Sequence, residues 1–127
     1  MTTVTSSNIL AADPGLVGER RIVVFLVDDQ PIVGEAVRRA LASEPDIDFH
    51  YCRMASDAVA MASTLGPTVI MQDLIMPEVD GMTLLELYQK HPALLHVPII
   101  VLSSKEDAAV KSQAFATGAT DYLVKLP

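Results

Sequence analysis

Hydrophobic and polar positions along this chain switch between two periods. Short apolar runs rich in β-branched residues fall at Ile22–Val27, Ile47–Cys52, Thr68–Met71, Ile99–Leu102 and Tyr122–Val124, each of strand length. Between them lie stretches of helical length with apolar positions three and four apart. The first helix is predicted to open near Pro31, since proline is favoured in an opening turn. Its buried stripe would be Ile32, Val33, Ala36, Val37, Ala40 and Leu41, with Glu35, Arg38 and Arg39 facing water. A second helix is predicted from about Ser56 as N-cap to Gly66 as C′ residue. A third covers about Thr83–Lys90 and is closed by His91-Pro92. The fourth opens at Ser104-Lys105-Glu106-Asp107, which resembles a capping box with Asp in place of Glu, and stops at Gly118.

Strands alternating with helices imply right-handed crossovers and an α/β fold: a doubly wound, five-stranded parallel sheet with helices on both faces. The expected strand order is 2-1-3-4-5, one of the two common doubly wound orders. Residues 1–20 carry Ser, Thr, Gly and Pro without periodicity and read as a flexible leader; residues 21–127 form the single domain. A sheet of this kind normally covers its last strand with another helix. The sequence stops at Pro127, so that helix is expected to be missing and the domain is read as truncated after the fifth strand.

Composition narrows the function classes. The 127 residues are half hydrophobic, enough for one core without metals or disulfides. A formal charge of −7 would be repelled by phosphate-rich surfaces, so neither direct nucleic-acid binding nor membrane association is expected. The lone Cys52 cannot close an internal disulfide, which fits a reducing, cytoplasmic setting. No apolar stretch approaches the roughly 18 residues of a membrane span.

The chemistry gathers at strand ends. Val23-Val24-Phe25-Leu26-Val27 runs into Asp28-Asp29, and Thr68-Val69-Ile70-Met71 runs through Gln72 into Asp73. In an open parallel sheet the functional crevice lies beyond the carboxyl ends of the strands, at the switch in strand order, here between strands one and three. Three acids would meet in one pocket, which is costly without a cation. Hard carboxylate oxygens suit Mg²⁺, whose remaining ligands would be water and a substrate phosphate. Capping of the first helix would account for one of the paired acids but not for the trio. A carboxylate can also be the nucleophile in phosphoryl transfer, forming an acyl phosphate. Two more strand ends supply donors: Val101-Leu102 delivers Ser103, and Tyr122-Leu123-Val124 delivers Lys125. His50, His91 and His96 share no ligand spacing and are read as packing or surface residues.

Asp28-Asp29, Asp73 followed by Met76-Pro77 and Asp80-Gly81, Ser103, and Tyr122-x-x-Lys125 together resemble the signature of response-regulator receiver domains, over about residues 21–127. The resemblance implies a flavodoxin-like (CheY-like) fold and a phosphoacceptor signalling module rather than an enzyme, loaded by a histidine kinase or a phosphotransfer protein. It assigns Asp73 as phosphoacceptor. Asp29, Asp73 and the Ile75 backbone carbonyl would ligate Mg²⁺, with Asp28 acting mainly through water. Ser103 and Lys125 would hold the phosphoryl oxygens, and Gly81 would let the chain turn into the third helix. Ser103 and Tyr122 would form the switch: a phosphoryl group draws the Ser103 hydroxyl inward, and the Tyr122 ring moves from an exposed to a buried rotamer. A homodimer is one expected assembly.

Val27-Asp28-Asp29-Gln30, Gly34–Arg39, Gln72-Asp73-Leu74 and Asp121–Pro127 further resemble the receivers that control GGDEF diguanylate cyclases, which make cyclic di-GMP. No GGDEF sequence is present here, so no cyclase activity is expected of this chain. The sequence departs from the family at Lys125-Leu126-Pro127, where Lys-Pro is usual; a cis bond before leucine would cost about 2.5–4 kcal/mol, so trans is expected. It departs again at Ile75, where many receivers are polar. Among rivals, a haloacid-dehalogenase-like phosphatase needs Asp-x-Asp and a lid insertion, and here the acids are adjacent. A flavodoxin-like cofactor carrier needs a phosphate-cradling loop, where Asp28-Asp29-Gln30-Pro31 would repel phosphate. A degenerate, unphosphorylated receiver would have lost site residues, and none is lost.

Overall fold

The structure, a computed structural model, describes residues 21–125. The leader expected over residues 1–20 and the peptide bond after Lys125 lie outside these residues. The elements run β1 (Ile22–Val27), α1 (Pro31–Leu41), β2 (Ile47–Cys52), a 3₁₀ turn (Ala55–Asp57), α2 (Ala58–Leu65), β3 (Val69–Asp73), α3 (Gly81–Lys90), β4 (Ile99–Ser103), α4 (Ala108–Thr117) and β5 (Asp121–Val124). The strands form one parallel sheet in the order β2-β1-β3-β4-β5, the predicted α/β architecture.

The two faces of the sheet are covered unequally. Phe25, Val27, Ile70, Ile99, Val101 and Tyr122 pack with Ala58 and Ala62 of α2, Leu84, Leu85 and Tyr88 of α3, and Ala114 of α4 in one apolar core. On the opposite face α1 lies against β2, where a Cβ on Gly34 would come within 3.0 Å of the Tyr51 ring. Glycine there lets the helix seat directly on the aromatic ring. The six-residue stripe predicted for α1 is not buried as expected. Gly34 is its buried residue, Val33, Val37 and Leu41 are half-covered, and Ala36, Ala40 and Ile32 are exposed, Ile32 at 78%. Periodicity identified the apolar side of α1, but among the described residues nothing packs over its flank toward β4 and β5. Leu123 on the same sheet face is 45% exposed for the same reason.

Three helix starts move as well. Ser56 lies inside the 3₁₀ turn rather than capping a helix, and α2 begins after Asp57. Asp80 caps α3 by accepting from the Met82 N–H at 3.1 Å, so α3 begins two residues before Thr83. Asp107 is itself the N-cap of α4, accepting from the N–H groups of Ala109 and Val110, rather than the reciprocal partner of Ser104. A carboxylate next to the first free N–H groups satisfies them and complements the helix dipole. The C-terminal signals hold: Gly66 closes α2 at φ 63°, and Gly118 follows α4 at φ 124°.

Candidate functional site

Four strand ends deliver the reactive side chains to the same rim. The Asp28 N–H donates to the Cys52 carbonyl at 3.1 Å, extending the β1–β2 ladder one residue past the strands. Asp73 closes β3, and the next N–H, of Leu74, donates to the Leu102 carbonyl at 3.1 Å. Ser103 closes β4, and its carbonyl accepts from the Lys125 N–H at 2.7 Å. The sheet's own hydrogen bonds therefore carry the site residues on a rigid frame.

Asp28, Asp29 and Asp73 can each place one carboxylate oxygen within 4.8 Å of the others. Asp28 is fully buried, Asp73 almost so at 2% exposed, and Asp29 half-buried. Lys125 reaches over from β5: its Nζ donates to Gln30 Oε1 at 2.8 Å, Asp28 Oδ2 at 3.2 Å and Asp73 Oδ1 at 3.3 Å. Asp28 Oδ1 also accepts from the Gln30 N–H at 2.8 Å, and the Tyr51 hydroxyl donates to the Asp28 carbonyl at 2.7 Å. Burial pushes the Asp73 carboxyl up to about 6; neighbouring Asp28 adds to this, while Lys125 and the Ile75 N–H pull the other way. One ammonium set against three clustered acids leaves room for a divalent cation, and a donor set made wholly of carboxylate oxygens fits Mg²⁺.

The other sequence-predicted residues lie around this cluster. The Ile75 side chain is exposed and its N–H points to Asp73 Oδ1 at 3.5 Å. Ser103 Oγ donates to the Lys105 carbonyl at 3.1 Å and accepts from the Lys105 N–H at 3.3 Å. The Tyr122 hydroxyl donates to that same carbonyl at 2.9 Å. Tyr122 is thus already in the buried position rather than the exposed one expected at rest, because the Lys105 carbonyl gives its hydroxyl a partner under the β4–α4 loop. Gly81 is needed for a different reason from the expected one. A Cβ there would lie 2.5 Å from both the Asp73 carbonyl oxygen and Leu74 Cα, so close approach, not turning, demands glycine.

Sequence reasoning missed Gln30, Tyr51, Gln72 and Tyr88. Gln72 is fully buried; its Nε2 donates to the Asp73 carbonyl at 2.9 Å and its Oε1 accepts from the Tyr88 hydroxyl at 2.6 Å. An amide ending an otherwise apolar strand run was the available signal. Burial also raises the Tyr88 hydroxyl above its ordinary value, keeping it a donor.

Comparisons with known proteins bear on the family and the fold. Residues 24–126 match the family model described as response regulator receiver domain. A protein-glutamate methylesterase/protein-glutamine glutaminase of Carboxydothermus hydrogenoformans is 35% identical over 108 residues, covering 83% of this chain and 30% of its own length. The transcriptional regulatory protein DegU of Brevibacillus brevis is 34% identical over 113 residues, covering 86% of this chain and 46% of its own. The chain therefore spans less than half the length of either relative. The receiver domain of the Francisella response regulator 1452 superposes with TM-score 0.74 at 27% identity, covering 83% of this chain and 84% of that one. The Vibrio cholerae chemotaxis protein CheY4, at 24% identity, shares the fold with TM-score 0.78 over 84% of this chain and 88% of its own.

Proposed function

The chain belongs to the response regulator receiver family, and from that membership we propose that Asp73 is its phosphoacceptor, loaded by a histidine kinase or a phosphotransfer protein. The observation that carries this reading is the buried Asp73 carboxylate flanked by Asp28, Asp29 and Lys125. An Asp73 oxygen attacks the phosphorus of a phosphohistidine; the new O–P bond forms as the P–N bond breaks, and the leaving imidazole takes its proton from solvent. Lys125 follows the charge onto the phosphoryl oxygens, and the Ser103 hydroxyl supplies a further hydrogen bond. Asp28, Asp29 and Asp73, with the Ile75 carbonyl, would hold Mg²⁺, which supplies neutralisation of the transferring oxygens.

Loading shifts a two-state equilibrium. Ser103 and Tyr122 both donate to the Lys105 carbonyl; once Ser103 turns to the phosphoryl group, Tyr122 alone holds the loop. The output it controls is a GGDEF diguanylate cyclase elsewhere in the protein, a reading supported by the resemblance of residues 27–30, 34–39 and 72–74 to receivers of that class. Among the described residues no helix is long and apolar enough to cross a membrane, and a cytoplasmic setting fits the lone, buried Cys52 thiol. Incubation with acetyl phosphate and Mg²⁺, followed by intact-mass measurement, should show one phosphoryl adduct on the parent protein and none on Asp73→Ala. An adduct that persists on Asp73→Ala overturns the assignment.

A further inference from the structure

We infer that Gln72 and Tyr88 are positioning residues for Asp73, a buried polar bridge that sets the main chain from which the carboxylate hangs. The inference rests on the reading of Asp73 as phosphoacceptor. Its basis is an amide and a hydroxyl placed where the surrounding core is otherwise apolar. Gln72 shares the sheet face of Ile70 and Val101 and is fully buried, as is Tyr88 on α3. A carbonyl only accepts, so the Asp73 carbonyl dictates that the Gln72 Nε2 faces it, at 2.9 Å. Gln72 Oε1 is then left to accept, and the Tyr88 hydroxyl donates to it at 2.6 Å.

This fixes the Asp73–Leu74 peptide at both ends. Its carbonyl is held from the core by Gln72, and its N–H is held by the Leu102 carbonyl of β4 at 3.1 Å. A peptide unit is planar, so two anchors on opposite edges remove most of its freedom to rock. The Asp73 side chain leaves the main chain beside that plane, and Ile75 lies two residues on. Gly81, pressed against the same carbonyl oxygen, blocks movement from the side of α3. A Leu or Val at position 72 would fill the core equally well but would leave the Asp73 carbonyl without this donor. The bridge therefore serves geometry at the site more than burial of the strand.

The test uses the full chain and three variants: Tyr88→Phe, which removes the hydroxyl alone, Gln72→Leu, and the double variant. Two quantities are read on each: Mg²⁺ affinity by calorimetric titration, and the rate of phosphorylation by acetyl phosphate at saturating Mg²⁺. Gln72→Leu should slow phosphorylation by about 2- to 10-fold, the scale of one hydrogen bond, and weaken Mg²⁺ binding in the same direction. Tyr88→Phe should show a smaller loss of the same kind, and adding it to Gln72→Leu should change nothing further. A purely structural role would lower the melting temperature of the variants and leave both quantities at parent values, and that result overturns the inference. Additive losses in the double variant would overturn it too. Should Gln72→Leu fail to fold, an unchanged Tyr88→Phe alone is decisive against it. A parent protein that takes no phosphoryl group on Asp73 would instead sink the functional reading.

Discussion

Replacing Asp73 by asparagine should make the metal-free protein more stable at neutral pH. The folded protein holds the Asp73 proton more tightly than an unfolded chain, with a value of about 6 against 3.8. The stability from this group is fully present below pH 3.8 and is lost as the pH rises through about 6. At about 1.4 kcal/mol per pH unit, the gap corresponds to about 3 kcal/mol of strain carried by the charged form at pH 7.5. Asparagine keeps the shape of the protonated acid, and Asp28 still pairs with Lys125. The expected gain at pH 7.5 in EDTA is therefore about 2–3 kcal/mol, or near 10 °C in melting temperature for a domain of this size. The gain should shrink to nothing toward pH 4, where the parent's carboxyl is itself protonated. Magnesium should close the gap from the other side, since an ion at 100 times its Kd stabilises the parent by about 2.7 kcal/mol. Thermal melts of both proteins at pH 4, 6 and 7.5, with EDTA or Mg²⁺, test all three arms. Equal melting temperatures at pH 7.5 in EDTA, or a less stable asparagine variant, would refute the account of Asp73 as a charge held against burial.

Three further outcomes follow from single positions. Gly81→Ala should destabilise by more than about 2 kcal/mol in urea titration, because its Cβ meets backbone atoms that cannot swing away. Gly66→Ala, at φ 63° in open space, should be destabilised only by the left-handed strain it takes on, about 1–2 kcal/mol. Ser103→Ala should still take a phosphoryl group on Asp73 but lose the coupled change at Tyr122, read as ring shifts by NMR with and without beryllofluoride; an unchanged ring in the parent when the analogue is bound would remove Tyr122 from the switch.

The sheet was readable because each strand is a compact apolar run, its order because 2-1-3-4-5 is one of two common doubly wound orders, and the rim residues because each stands within two positions of the end of such a run. Asp28, Asp29, Asp73, Ser103 and Lys125 needed only that rule. What eluded sequence reading depends on distances across the fold. Nothing local shows that Tyr88 will meet Gln72 sixteen residues away, or that Gln30 will share Lys125 with the acids. The α1 stripe failed for another reason: periodicity reports which side of a helix is apolar, not what lies over it. The α3 and α4 starts differ from the sequence reading because Asp80 and Asp107 cap them, their carboxylates accepting from backbone N–H groups two or three residues on.

The hydroxyls of Ser103 and Tyr122, proposed here as the switch, converge on a main-chain atom, the carbonyl of Lys105, while the Lys105 side chain stands in solvent. Any residue but one that distorts the loop presents the same carbonyl. A substitution at position 105 can therefore change the side chain without removing the acceptor that Ser103 and Tyr122 share. The charge or bulk of that loop can thus be changed by substitution while the proposed link between the site and Tyr122 keeps its shared acceptor.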